Sequence, residues 1–271
     1  MNRKLSGIRE SKAANMVLYF AALCITVPLL ILPVWIFFGR WQWPELFPSA
    51  FSLRALKSMF SDAGMVEVLF SSVMLSACVA ILATLTGIMA ARALVLYDFR
   101  GKKLVSFFSM LPMIVPSASF AMGVHVVFLR MGLGDTWTGL LLVHMIYSVP
   151  YTVSIMTDIT AMAGDRLELQ AQVLGVSPLK AFWHVSLPVM MPGVLSSLSM
   201  AYIVSFSQYF LTLLIGGGRV RTLSVVMVPY IQSGDRTVAS AYATLFIMTL
   251  MIVFGVMEFF ARRKYEQAFS D

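Results

Sequence analysis

Charge is what this sequence has least of. Only 12% of its residues are Asp, Glu, Lys or Arg, against roughly a quarter in soluble domains, and that scarcity excludes an ordinary water-soluble globule. The few charges lie in short segments between long uncharged runs, the distribution of a polytopic membrane protein. No polar stretch is long enough to fold as a large separate soluble domain, so none is expected at either end. Cysteine is almost missing too. Cys24 and Cys78 each sit inside an apolar run and read as small packing residues rather than a disulfide or a metal pair.

Catalytic signatures are also lacking. Gly101-Lys102-Lys103 is without the upstream glycine and the hydroxyl of a phosphate-cradling loop, so the chain has no nucleotide site of its own. His125, His144 and His184 share no metal-ligand spacing, there is no His-Glu-x-x-His, and no Gly-x-Ser-x-Gly elbow occurs. Neither a metal centre nor an intramembrane enzyme is expected. No span has an acid in its interior and no internal repeat is visible, which disfavours the alternative of a secondary transporter driven by an ion gradient.

What the sequence has in quantity is hydrophobic residues, at 59%. A bilayer core needs about 20 apolar helical residues to cross. Six segments qualify: 16–38, 68–91, 104–129, 138–157, 189–215 and 237–257. Any other backbone would leave amides unpaired in lipid, so each is expected to be helical. The prolines within them (Pro28, Pro33, Pro112, Pro116 and Pro150) are expected to kink these helices. The first run follows a basic leader (Arg3, Lys4, Arg9, Lys12) but is too long for a signal peptide, and it reads as a span. Twenty methionines and twenty phenylalanines scattered through the runs read as packing and lipid contact.

The net charge of +7 could suggest nucleic acid, but its placement fits loop retention better, and no nucleic-acid partner is expected. With the N-terminus inside, 13 Lys and Arg lie on the cytoplasmic side and 7 outside. This bias predicts a bacterial inner membrane location with both termini cytoplasmic. The layout becomes a cytoplasmic segment 1–14, a membrane domain 15–261 and a cytoplasmic tail 262–271. Trp41, Trp43, Pro44 and Pro48 give 39–67 an interfacial character, with a short surface helix over 52–60. Gly216-Gly217-Gly218 marks a break, and the apolar segment 223–231 is too short to cross. Small residues in span two (Ser76, Ala80, Ala83, Gly87, and Ala90 or Ala91) predict close helix packing.

The most informative segment is the loop 158–188. Residues 165–174 read as a short helix carrying Leu167, Leu169, Val173 and Leu174 beside Gln170 and Gln172. Gly175 follows, where a left-handed turn ends a helix. Ser177 and Pro178 read as N-cap and first residue of a second helix. Two short helices on a glycine corner make a rigid knob, and Pro188 and Pro192-Gly193 lead into span five.

This segment resembles the permease subunits of binding-protein-dependent ABC importers, which have the type I importer fold. Their signature is Glu-Ala-Ala, three residues, Gly, nine residues, an aliphatic residue, any residue, then Leu-Pro. Gly175, Val185, Leu187 and Pro188 stand at those spacings, Phe182 matches the aromatic often found before the aliphatic position, and Pro192-Gly193 matches the usual follow-on. The opening triplet departs: Leu169, Gln170 and Ala171 occupy it, with Glu168 one position early. The general look is closer to importers of polyamines, ferric iron, thiamine or related small solutes than to sugar importers.

The resemblance implies an all-α, polytopic, six-span fold. It implies that the first short helix docks in a cleft of a cytoplasmic ABC ATPase dimer, where Mg-ATP is bound and hydrolysed, so this chain needs no cofactor. A second permease subunit, alike or different, and a periplasmic or lipid-anchored solute-binding protein complete the machine. The coupling residues are then Glu168, Leu169, Gln170, Ala171, Gly175, Ser177, Pro178, Phe182, Leu187 and Pro188.

Polar residues inside spans are candidates for the solute route: Ser205, Ser207 and Gln208 in span five, and His144, Tyr147 and Ser148 in span four. The competing reading for each is hydrogen bonding between helices. Asp158 and Glu258 sit at span ends and read as facing water.

Overall fold

The computed structural model describes residues 12–39, 50–61 and 64–269. Helices α1 (Lys12–Trp35), α3 (Met65–Leu96), α6 (Trp137–Ala163) and α12 (Arg236–Phe269) are each long enough to cross a bilayer. A fifth crossing helix runs Pro178–Phe206. It is built from α8 (Pro178–Ala181), a π-turn (Phe182–Ser186) and α9 (Leu187–Phe206) in unbroken succession. The sixth apolar segment is a pair, α4 (Lys102–Ile114) and α5 (Ser117–Arg130). Shorter helices are α2 (Arg54–Ser61), α7 (Arg166–Val173), α10 (Phe210–Gly216) and α11 (Leu223–Gln232). No strand occurs among the described residues.

Three sequence expectations are corrected here. The run 104–129 is not one kinked helix, because α4 and α5 meet at 109°. Val115 and Pro116 are both extended at the corner, with ψ of 132° each. Proline has no amide proton to donate and crowds the residue before it out of the helical region. Pro28, Pro33 and Pro150, by contrast, lie within helices that run on through them.

Nor is 189–215 one span: it stops at Ser207–Tyr209 and resumes as α10. The Ser207 hydroxyl donates back to the Ile203 carbonyl at 2.8 Å, competing with the helix ladder as serine does. The third correction concerns lengths. α3 continues to Leu96, so Arg92 is helical and not a loop cation, and α12 continues to Phe269 through most of the expected tail. Trp41, Trp43, Pro44 and Pro48 lie outside the described residues, while a short helix is present near the expected place as α2.

The chain divides into two units. The smaller comprises residues up to 63 together with Tyr230–Ile247. In it, Gly39 N–H donates to Ala50 O at 2.8 Å and Ser52 N–H to Phe37 O at 3.0 Å. Arg54 reaches both Asp235 oxygens, at 2.8 and 3.0 Å, and the Thr237 hydroxyl at 2.9 Å.

The larger unit comprises Gly64–Pro229 and 248–271, and α3, α6 and α9 pack against one another in it. The α3 seam is Ser76, Ala80, Ala83, Gly87 and Ala91, all buried. Ala90 is only half-buried, so Ala91 continues the stripe at helical spacing. A Cβ placed on Gly87 would stand 2.7 Å from Thr152 Oγ1. Thr152 in turn donates across the interface to Ala83 O at 2.8 Å. Small residues let the two backbones approach, and the hydroxyl then bonds between them.

Candidate functional site

The knob between α6 and α9 is present, and its corner is as the sequence predicts. Gly175 has φ of 88°, the left-handed conformation that costs an L-residue most. Val176 N–H bonds to Ala171 O at 3.1 Å and Gly175 N–H to Gln172 O at 2.9 Å, which satisfies carbonyls at the end of α7. Ser177 occupies the N-cap position with extended backbone and Pro178 follows at N1, but the Ser177 side chain makes no capping bond. The second short helix does not end before span five; it enters it through the π-turn.

The α7 segment turns its acid inward and its apolar side chains outward. Glu168 is buried, while Leu167, Leu169, Val173 and Leu174 are exposed. Leu179 and Trp183 on the following helix are exposed as well. Gln170, Ser177, Pro178 and Pro188 also face outward; Ala171, Phe182 and Leu187 are half-buried. Six large apolar side chains on α7, its following turn and the start of the fifth crossing helix, a stretch that also carries Asp165, Arg166 and Lys180, form a surface suited to another molecule.

Beneath that surface sits a polar joint. Both Glu168 oxygens engage Arg92 of α3, at 3.0 and 3.1 Å, a bidentate geometry special to arginine. The Ser186 hydroxyl donates to Glu168 Oε2 at 2.6 Å. Arg92 lies over the Phe182 ring, 4.7 Å from its centroid, within cation–π range. Burial pushes the Glu168 carboxyl up, but the hydrogen bonds from Arg92 and Ser186 and the Arg92 charge outweigh it and hold the group below the ordinary glutamate range. Phe182 also packs on an apolar cluster of Ile88, Ala91, Met156 and Met190. The sequence placed Arg92 in a loop and missed this joint. Its one local signal was an acid set between two leucines, Leu167 and Leu169.

The route candidates divide into two groups. His144 and Ser205 are buried together, with Nδ1 2.9 Å from Ser205 Oγ, and His144 Nε2 is 3.0 Å from Thr212 Oγ1. Thr212 spends its own proton on Gln208 O at 2.8 Å, so its oxygen accepts from Nε2–H. Nδ1 then accepts from Ser205, which assigns the tautomer by elimination. Ser205 precedes the break in span five and Thr212 follows it, so one imidazole bridges both sides. Ser148 is buried, and its hydroxyl has no partner among the described residues. Ser207 is exposed, and Gln208 and Tyr147 are half-buried; Tyr147 tilts against Phe120 at 5.7 Å. The acids of the spans, Asp158 and Glu258, are exposed. No cluster of metal ligands occurs among the described residues.

Residues 83–265, from mid-α3 into α12, match the family described as binding-protein-dependent transport system inner membrane component. The chain belongs to that family. It is a multi-pass ABC importer permease of an inner membrane transport system, not an enzyme. A putative 2-aminoethylphosphonate transport system permease protein of Salmonella typhimurium is 27% identical over 226 residues, covering 82% of this permease and 84% of the relative. A spermidine/putrescine transport system permease protein of Haemophilus influenzae is 25% identical over 214 residues, with 79% and 83% covered. The Escherichia coli putrescine transport system permease protein is 24% identical over 230 residues, with 82% of each covered. The matched region contains the whole knob, the Arg92 joint and the broken fifth span.

Proposed function

We propose that this permease forms the membrane path for a small polar solute handed over by an external binding protein, and that α7 docks on a separate cytoplasmic ATPase. The observation that carries this reading is the exposed apolar surface of α7 and α8 on a rigid glycine corner, at the spacing of the family's docking signature. Force passes well through packed elements with two discrete arrangements. A compact knob continuous with a crossing helix is such an element. The ATPase supplies the nucleotide chemistry, and both termini share its side of the membrane, in line with the Lys and Arg bias. A second permease subunit, identical or homologous, completes the route.

Within the protomer, Ser207, Gln208 and Tyr147 line that route where span five is interrupted, as broken helices do in transporters. His144 and Ser205 are buried and hold the break together through Thr212, and Ser148 is buried as well. The solutes named for the relatives are phosphonate and polyamine compounds, which fits a small polar cargo.

The test is purification of the tagged permease from its native membrane, with any ABC ATPase that comes down with it identified. Wild type retains the ATPase, Leu169→Asp loses it, and Gly175→Val keeps the protein in the membrane but abolishes uptake. At Gly175 an added Cβ meets nothing within 4 Å, so the substitution acts through the backbone alone, at about 1–2 kcal/mol. Equal ATPase recovery with wild type and Leu169→Asp, or normal uptake by both variants, would overturn the docking role.

A further inference from the structure

The docking helix reaches the rest of the larger unit by two kinds of link. Its backbone packs on α8 and on the π-turn. Its polar link to α3 is made by Glu168, whose two oxygens accept hydrogen bonds from two different elements, Oε1 from Arg92 and Oε2 from Ser186, while a second Arg92 nitrogen stands 3.0 Å from Oε2 as an ion pair. Arg92 lies in the last turns of α3, and Ser186 ends the π-turn between α8 and α9 in the fifth crossing helix. Glu168 therefore joins α7 to two spans at once.

The geometry resists sliding. A two-point ion pair of this kind loses both contacts together when one partner shifts, because the guanidinium is planar and fixed. The side chains of Arg92 and Glu168 are only 18% and 10% exposed, so a broken pair would leave two poorly hydrated charges, which strongly disfavours separation. The Phe182 ring backs the guanidinium from the other side. Phe182 and Ser186 flank the joint because the local ladder is i→i+5, with Leu187 N–H bonded to Phe182 O. Such π-turns gather at functional positions. α3 is itself packed along α6 and α9, so a displacement at Arg92 acts on a rod held over its whole length.

We propose that the Arg92–Glu168–Ser186 joint is the element that makes α3 and α9 follow α7, with Arg92 as the positioning residue that converts docking into transport. This rests on the reading of α7 as the ATPase contact. In this chain the buried carboxylate faces inward to a helix of its own protein, leaving the apolar side chains of α7 outward for the ATPase. Docking and transmission thus fall to different residues of one short helix. The joint predicts separable defects: loss of Arg92 leaves the ATPase bound but disconnects its cycle from the spans.

The experiment uses the full complex of permease, ATPase and binding protein in proteoliposomes. Arg92→Met, Glu168→Gln and the double variant are compared with wild type for ATPase retention, ATP turnover and uptake. Arg92→Lys serves as a conservative variant, keeping the charge without the fork. Expected are wild-type ATPase retention, continued ATP turnover, and uptake per ATP reduced roughly 5- to 100-fold in each single variant, the span of ordinary coupling free energies. The double variant is expected to be no worse than either single, because the two act through one bond. Arg92→Lys is expected to recover part of the loss.

Unchanged uptake per ATP in Arg92→Met would overturn the joint, and so would multiplicative losses in the double variant. Loss of ATPase retention in Arg92→Met would overturn it as well, by making Arg92 part of docking. Failure of wild type itself to retain any ATPase would instead sink the docking reading, a result distinct from all of these.

Discussion

Gly87→Ala sets two opposed effects against each other, and the structure decides between them. In a helix interior, alanine is favoured over glycine by about 1 kcal/mol. The new methyl carbon would, however, stand 2.7 Å from Thr152 Oγ1, 2.8 Å from Thr152 Cβ and 2.9 Å from the Thr152 carbonyl carbon. A rotamer change can move the hydroxyl but not the backbone carbon. α3 and α6 must therefore part by about half an ångström, which forfeits roughly a quarter of the dispersion attraction along their seam. Such overpacking typically costs about 1–3 kcal/mol. The Thr152–Ala83 bond is lost with it, at about 0.6 kcal/mol for a bond between membrane helices.

The net expectation is a loss of about 1–3 kcal/mol, read as a fall of several degrees in the melting temperature of the detergent-purified permease. Gly123→Ala is the internal control, since a Cβ there meets nothing within 4 Å. It should leave the melting temperature unchanged or raise it slightly. A melting temperature for Gly87→Ala equal to or above that of Gly123→Ala would refute the close α3–α6 approach.

Two further outcomes follow from the polar groups. His144→Ala orphans the buried Ser205 hydroxyl and removes the donor to Thr212, which keeps its bond to Gln208 O, and so cuts the bridge across the break in span five. It should cost about 1–3 kcal/mol and lower the melting temperature beyond His125→Ala, whose ring is only half-buried; equal effects would remove the bridging role. The folded Glu168 carboxyl titrates below its ordinary value of 4.5. The pair's contribution is therefore complete above that pH and is lost as pH falls through the lower folded value. The stability difference between wild type and Glu168→Gln should be constant near neutrality and shrink below about pH 4.5. Asp235, held low against burial by Arg54 and its neighbours, titrates in both proteins and cancels. A difference that grew on acidification would contradict the assigned pairing.

Much of this architecture is determined by the sequence alone, because hydropathy and periodicity are local. A run of uncharged apolar residues must be helical wherever it meets lipid, whatever it packs against. The α3 stripe of small residues and the left-handed turn at Gly175 are likewise local, one set by helical spacing and the other by backbone sterics. The glycine-cornered helix pair between α6 and α9 was legible for the same reason. Other features were decided only by tertiary packing. Glu168 finds its partner 76 residues away, and that partner turns α7 so that its acid faces in and its leucines face out. The imidazole of His144 spans the fifth helix only because α6 lies against both of its pieces. Pro116 breaks its helix while Pro150 does not, although both are prolines in apolar runs. Pairing of polar groups in a membrane interior depends on which helices meet, and a single strand of sequence carries no term for that distance.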